Sequence, residues 1–345
     1  MTFTDNTLLK KLLIVFLVVT GLYLVKGFLI PMVVGGLLAT LFLPFCKWME
    51  LHRVPRGGAV LICFLAILLV IAALGTVLGW KISEFANDIS LIKHESPASM
   101  AKLQKYLLQN LGLSMQKQSE ILADEQPSLS TVASYFFNSM SEIVASLVLS
   151  LVYLVSFLYY RGHLFAFLLK LSKSAKDGEL DRVIERITQV SQQYLLGLAK
   201  MIFLLWIMYG IGFSVLGVQN AIVFAVLCGL LEIVPFIGNI TGTTITVLAA
   251  AIHGANIKVL IGIVVTYGIV QFIQGWLLEP LILGPQVKIN PMFTIIALVF
   301  GQIIWGIPGI ILAIPITAML KIVCDHVEAL KPYGFLIGEI GRRSA

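Results

Sequence analysis

Two glutamates stand inside long apolar stretches of the chain, each beside a proline. Glu232 lies in LLEIVPFIGNITG (Leu230–Gly242), three residues before Pro235. Glu279 directly precedes Pro280, which biases it away from helical geometry. A carboxylate in apolar surroundings can coordinate a hard cation or carry a proton. An acid at the centre of a bilayer costs about 2.5–3.5 kcal/mol on insertion scales, so we expect each glutamate to face a cavity or a partner.

Helix-breaking residues accompany Glu232. Pro235 has no backbone N–H, so the carbonyls around Leu231 and Glu232 are predicted to lose their usual donors. Gly238 lets the chain turn without a side chain in the way. Free carbonyls and one carboxylate would form an oxygen-rich pocket for a cation, and a carboxyl group that exchanges a proton there would link transport to pH. Two simpler interpretations stay open: a purely structural hydrogen bond for Glu232, and an interfacial position for Glu279.

The composition shows that most of the chain is suited to a lipid bilayer. Hydrophobic residues make up 59% of the 345 residues and charged residues 12%, whereas soluble domains have about 45–50% and about 25%. We therefore predict an all-α polytopic membrane protein with about eight transmembrane helices. The net charge of +6 comes without a basic run interleaved with aromatics, so membrane lipids are expected partners and nucleic acid is not. No CxxC pair occurs, and neither a metal site nor a cofactor is predicted.

Two long apolar blocks, residues 221–252 and 291–323, are interrupted near their middles. A straight helix of this length would measure about 48 Å, against about 30 Å of hydrocarbon. The breaks lie at Pro235–Gly238 and at Gly306–Gly309. We predict two broken helical hairpins, which dip into the membrane or cross it with strong tilt; two proline-kinked helices without a ligand are the alternative. Paired interruptions of this kind point to a transport path. Its candidate residues are Glu232, Pro235, Gly238, Asn239, Glu279, Pro280, Gly306 and Gly309.

The other segments fit a single membrane domain over residues 1–345. Segment 81–140 contains no arginine and has five lysines against six acids, whereas arginines occupy the short loops and the C-terminal tail. Because positive charge is retained on the cytoplasmic side, we expect both termini inside and the extracytoplasmic segment 81–140 outside. This requires an even number of crossings. Apolar residues recur three and four apart from Leu180 to Tyr194, which predicts a cytoplasmic amphipathic helix within 162–197.

Several motifs of the C-terminal third occur together in one known family. They are Pro235–Gly238, Glu279–Pro280, Gly284, Pro291, Gly306, Gly309 and Pro315. With this spacing the chain resembles the autoinducer-2 exporter family of prokaryotic membrane transporters, most strongly over roughly residues 220–323. It departs from the family pattern at Asn239, where proline is common. It departs again at Leu281, where an arginine that could neutralise Glu279 is common.

The resemblance implies a multi-pass permease in the bacterial cytoplasmic (inner) membrane. Some family members are associated with export of the quorum-sensing signal autoinducer-2, and others with sodium or lithium/proton antiport. We therefore expect a transporter of a small solute or of cations, coupled to protons or sodium. A homo-oligomer is also expected. The long outer segment and the cytoplasmic helix offer surfaces beyond the bilayer, and the GxxxG pairs Gly238–Gly242 and Gly75–Gly79 offer close contacts within it.

Other function classes find less support in the sequence. No HExxH motif is present for a membrane metalloprotease, and the six aspartates lie outside the predicted spans. Ser214 lacks GxSxG spacing and a histidine placed to serve it. We therefore predict no enzyme activity. A non-transporting scaffold or regulator that uses the amphipathic helix is the alternative to transport.

The arginine distribution generates a prediction about topology. Single cysteines at Ser99 or Ser119, in a background without native cysteines, are expected to react with an impermeant reagent added to intact cells. A cysteine at Ser174 is expected to react only after permeabilisation, because positive loops stay inside. The reverse pattern contradicts the orientation.

Overall fold

The structure, a computed structural model, describes residues 3–95, 129–171, 179–235, 237–283 and 288–339. These ranges are helical almost throughout, and their strand pairing is one bridge between Ile289 and Gly338. The predicted all-α polytopic fold is confirmed. The helices are α1 (Phe3–Leu24), α2 (Lys26–Leu51), α3 (Arg56–Glu95), α4 (Leu129–Leu171), α5 (Glu179–Val215), α6 (Ala221–Leu231), α7 (Ile237–Ile252), α8 (Ile257–Ile273), a π-helix (Gln274–Leu283), α9 (Pro291–Trp305), α10 (Ile307–His326), a 3-10 helix (Glu328–Leu330) and α11 (Lys331–Ile337).

Six stretches of the described chain are long and apolar enough to cross a membrane. They lie in α2, α3, α4, α5 and α10, and in Ile257–Leu283, which joins α8 to the π-helix. Shorter apolar helices are Leu12–Leu24 of α1, α6 and α9. Every residue of α1 from Leu12 to Val18 is exposed, which fits a surface covered by lipid tails. Of segment 81–140, residues 81–95 continue α3 and 129–140 begin α4, while 96–128 lie outside the described residues.

Helix α5 is the central element of the packing. It contacts α2, α6, α8, the π-helix and α10. On one side, α2, α3 and α4 enclose Cys46, Cys63 and Leu154, none of which is exposed. On the other side, Tyr209 and Phe213 of α5 lie fully buried in a cluster shared with α6 and α8. A side chain on α5 can therefore contact both parts of the fold.

Residues 162–197, predicted as one amphipathic helix, are divided between two helices. Residues 162–171 end α4, residues 172–178 lie outside the described part, and residues 179–197 form the first half of α5. The two-faced pattern is present, because Val190 is buried against Ile322 of α10 while Asp181 and Glu185 are exposed. The 37 residues of α5 rise about 55 Å, so this half extends beyond a bilayer core of about 30 Å.

Residues 221–252 form two short helices that approach each other closely at glycines. A Cβ added at Gly238 would overlap the carbonyl group of Leu231, and one at Gly242 would lie 3.1 Å from the Cα of Cys228. By their lengths, α6 and α7 rise about 16 and 24 Å, less than the hydrocarbon thickness of about 30 Å. Neither helix alone is therefore long enough to cross the hydrocarbon, and residues 232–235 follow α6 at the tip of the hairpin.

Residues 291–326 form the second pair, joined by a turn of one residue. Gly306 has φ +65°, a backbone conformation that residues other than glycine rarely adopt. Beyond the turn, Gly309 of α10 packs directly on the backbone of Gly301 in α9, and a Cβ at either glycine would overlap the other's carbonyl oxygen. The two helices thus pack with their backbones in contact.

The Gly301–Gly309 contact generates a stability prediction. Gly309→Ala places a methyl group against a backbone carbonyl that cannot rotate away, and overpacking of this kind costs about 1–3 kcal/mol. We expect a thermal midpoint several degrees lower in a fixed detergent. Gly268→Ala is the matched control, because Gly268 lies in α8 with no atom within 4 Å of an added Cβ. Equal midpoints for the two variants would contradict the close approach.

Candidate functional site

Glu232 follows the last residue of α6 at the hairpin tip and is only 6% exposed. Its N–H donates to the carbonyl of Cys228 at 3.2 Å. As predicted, the Leu231 carbonyl loses its usual donor at Pro235, but it is not free, because the N–H of Val234 donates to it at 2.9 Å. A bond to the third following residue thus replaces the α-helical bond that Pro235 cannot make. The polar character of the tip therefore comes from the Glu232 carboxylate.

One buried amide connects the two candidate glutamates. Gln274 is 2% exposed, and its Nε2 donates to Glu232 Oε1 at 2.8 Å and to Glu279 Oε1 at 3.3 Å. Because both distances share one nitrogen, the two carboxylate oxygens lie within about 6 Å of each other. Glu232 Oε2 is buried and has no hydrogen-bond partner in the described part of the chain. The site therefore presents one free carboxylate oxygen.

The π-helix explains how Gln274 reaches Glu279. Glu279 and Pro280 lie inside this helix, so the prediction that the proline takes Glu279 out of helical geometry is wrong. A π-helix hydrogen-bonds residues five apart and brings their side chains to one face, whereas an α-helix does so for residues three and four apart. Gln274 and Glu279 are five apart. Both Glu279 and Pro280 are exposed, so the site runs from a buried carboxylate to an open one.

Two further polar side chains extend the network toward α5. Gln271 Nε2 donates to Gln274 Oε1 at 3.2 Å, which orients the amide so that its nitrogen faces Glu232. Gln271 Nε2 also lies 3.4 Å from the hydroxyl of Tyr209, which is fully buried in α5. These residues were not predicted from the sequence, because carboxylates and the Pro and Gly interruptions marked the candidate path. Two glutamines three apart in an apolar span, just before Glu279, would have indicated them.

The hairpin is fixed against α5 by close contacts. Trp206 Nε1 donates to the carbonyl of Val226 at 3.1 Å, and a Cβ at Gly229 would overlap the Trp206 ring. The same Cβ would lie 3.3 Å from the carbonyl oxygen of Ile202. From Val215, where α5 ends, to the level of Ile202 the helix rises about 20 Å. We therefore expect the carboxylate of Glu232, beyond Gly229, to lie at membrane depth.

The other predicted residues fall into two groups. Pro235 and Gly238 shape the tip, and Asn239 is buried, with its Oδ1 accepting from the N–H of Ile240 at 2.7 Å. Gly306 and Gly309 belong to the second pair, whose helices do not pack extensively on α6, α7 or the π-helix. The structure thus brings six of the eight predicted residues to one region and places these two elsewhere.

The arrangement can exchange a cation or a proton. Two carboxylates this close repel each other when both are ionised, and a bound cation or a shared proton relieves the repulsion. No group of three His, Cys, Asp or Glu residues suited to a metal ion occurs among the described residues. A cation here would therefore rest on the two glutamates and on amide or backbone oxygens, a set that suits hard cations.

Comparison with known proteins decides the family. The sequence profile described as AI-2E family transporter matches residues 12–329. The chain belongs to the AI-2E transporter family. Among its relatives in this family is YhhT of Escherichia coli K12, named as a candidate transport protein, which is 23% identical over 97% of this chain and 95% of its own length. The candidate transport protein YrrI of Bacillus subtilis is 32% identical over 39% of this chain and 37% of its own.

The name of a third relative includes a substrate. The AI-2 transport protein TqsA of Escherichia coli K12 is 20% identical over 94% of both chains. The family assignment confirms the resemblance noted in the sequence and makes the chain a multi-pass membrane transport protein. The departure at Leu281 is now visible in the structure. Leu281 is exposed, and Glu279 has no salt bridge within the described ranges, only the hydrogen bond from Gln274.

Proposed function

We propose that this AI-2E transporter moves a small solute or a cation along a path that passes Glu232. The supporting observation is the buried, unpartnered Oε2 of Glu232 at the tip of a hairpin that ends at membrane depth. A helix that serves only as an anchor gains nothing from a carboxylate there, because burying it costs free energy. Non-helical backbone at that depth is tolerated where protein covers it or where it lines a cavity.

Coupling to protons or sodium follows from the shared amide. A cation or proton that neutralises Glu232 weakens the charge-assisted bond from Gln274. The amide is then free to turn fully toward Glu279, five residues along the π-helix. Since Gln271 binds the oxygen of the amide, the nitrogen would shift from Glu232 toward Glu279 while the oxygen keeps its partner. Occupancy at the hairpin tip would thereby be transmitted to the exposed carboxylate.

Two substrate classes fit, and transport rather than catalysis is proposed for both. The name of TqsA suggests AI-2 as a candidate solute. The paired carboxylates suggest a hard cation, either as the substrate or as the coupling ion. A solute that enters beside Glu232 would meet Gln274 and then Gln271 and Tyr209, which offer amide and hydroxyl groups.

The proposed location is the bacterial cytoplasmic membrane with both termini inside. The salt bridge between Arg161 and Glu50 brings the end of α2 and a basic part of α4 to one level. The Arg56 side chain, at the start of α3, reaches the same level by donating to the carbonyl of Leu158 at 3.3 Å. One end of this bundle thus gathers positive charge, and such an end faces the cytoplasm.

Glu232→Gln tests the proposed path. The substitution keeps size and hydrogen bonding but removes charge and titration. Losing an interaction with a charged group costs about 1.5–3 kcal/mol, so we expect flux into proteoliposomes to fall about 10- to 100-fold or to lose its pH dependence. The measurement is flux of candidate solutes, AI-2 included, under defined proton and sodium gradients.

Two further variants complete this experiment. Glu279→Gln reports whether the exposed carboxylate contributes, and Glu185→Gln is the matched control on the exposed face of α5. If folded Glu232→Gln keeps both the rate and the pH dependence of the wild type, the path does not use Glu232. If the wild type moves no candidate under any gradient, a scaffold or regulatory role is favoured.

We also propose a homo-oligomer built on α3. The GxxxG pair Gly238 and Gly242 packs inside the first hairpin, but within the described residues Gly75 and Gly79 have no atom within 4 Å of an added Cβ. An open pair of this type lets a helix of another copy approach closely.

A change in assembly mass tests this interface. Gly75→Leu is expected to lower the particle mass in mild detergent from that of an oligomer to that of one chain. Gly21→Leu, at an equally open position of α1, is the control and should leave the mass unchanged. A wild-type particle with the mass of one chain contradicts the proposal.

A further inference from the structure

Three charged side chains lie at one turn of α4, residues 158–162, where it packs against α2 and α3, far along the chain from the Glu232 site. Glu50 lies next to the end of α2, Arg56 is the first residue of α3, and Arg161 belongs to α4. Arg161 Nη2 pairs with Glu50 Oε2, and both side chains are 25% exposed. Arg56 Nη2 donates to the carbonyl of Leu158 at 3.3 Å. This triad carries a net charge of +1.

Each member of the triad also has a buried polar atom without a partner in the described residues. These atoms are Arg56 Nε, Arg161 Nη1 and Glu50 Oε1. The first two are donors and the third is an acceptor. Buried polar groups are nearly always hydrogen-bonded, because leaving one unsatisfied costs free energy. A matching ligand must therefore offer acceptors to the arginines and a donor to the glutamate.

The surroundings place the triad at a membrane interface. Trp48, Tyr159 and Tyr160 are about half exposed beside it, and such aromatic side chains collect at the level of lipid headgroups. The turn that connects α2 to α3 exposes the basic residue Arg53, whereas the helices beyond expose large apolar side chains. At the level of these aromatic side chains, a bilayer presents the phosphate and headgroup atoms of its phospholipids. Basic pockets between transmembrane helices bind such headgroups.

We propose that the triad binds the headgroup of phosphatidylethanolamine. The two arginines present planar N–H groups suited to a phosphate, and the opposite charges of the headgroup match those of the arginines and of Glu50. The ethanolamine ammonium donates to Glu50 Oε1. Phosphatidylcholine has the same phosphate and charge, but its three methyl groups remove the donor. The triad therefore distinguishes these two lipids by one hydrogen bond to Glu50.

The first test compares lipids on the wild-type protein. Delipidated protein in detergent is titrated with phosphatidylethanolamine, phosphatidylcholine or inorganic phosphate, and bound lipid is counted by native mass spectrometry while thermal midpoints are recorded. We expect phosphatidylethanolamine to bind at least about threefold more tightly than phosphatidylcholine and to raise the midpoint further. Equal binding of the two lipids overturns the proposal. So does full stabilisation by inorganic phosphate, which would mean that the site takes a free anion.

The second test assigns the preference to the triad. Arg56→Gln removes the Nε donor and one charge without breaking the Arg161–Glu50 pair. We expect it to abolish the preference for phosphatidylethanolamine. Arg53→Gln makes the same charge change at an exposed position of the adjacent turn, and it should keep the preference. A preference that survives in Arg56→Gln, or disappears equally in Arg53→Gln, places the lipid elsewhere. If Arg56→Gln does not fold, the wild-type comparison alone decides.

Discussion

The hydrogen bond from Gln274 to Glu232 joins two parts of the chain that bend for different reasons. The hairpin tip is non-helical because Pro235 lacks an N–H, and the segment after α8 is a π-helix. Hydrocarbon offers no water to satisfy either irregularity, so each must find partners within the protein. At the tip the N–H of Val234 satisfies the backbone, and the amide satisfies one oxygen of each carboxylate that these segments carry. Removing it would leave a charged oxygen buried beside an already unpartnered one.

Close backbone contact makes this arrangement possible. Gly229 admits the Trp206 ring, and Gly238 and Gly242 let α7 lie against α6. Without these approaches, the short hairpin could not enter between α5 and α8 far enough for Glu232 to meet Gln274. The same device recurs in the second pair at Gly301 and Gly309. Lipid tails are as apolar as the helices, so helices in a membrane associate through close van der Waals packing. Small residues at their contacts allow this close approach.

The sequence alone predicted the fold class, the two interruptions and the carboxylates, since each has a strong local signal. Apolar length marks spans, and Pro, Gly and Glu stand out within them. The π-helix was not predictable in this way, because Pro280 normally indicates the end of a helix. The roles of Gln271 and Gln274 were missed for a related reason. Burying a neutral amide in a span costs little free energy, so the residue does not stand out in the sequence. Its role becomes clear only when the structure shows which carboxylates it binds.

The two charged sites differ in the partners that their charged side chains have. At the Glu232 site a carboxylate is satisfied by a neutral amide, so its charge stays available to a cation or a proton. At the triad, Arg161 already neutralises Glu50, and what remains is a second arginine with an unused donor. The first arrangement suits a ligand that comes and goes with its charge, as transport requires. The second suits a zwitterionic headgroup that stays, and its place among interfacial aromatics matches a lipid that is always present.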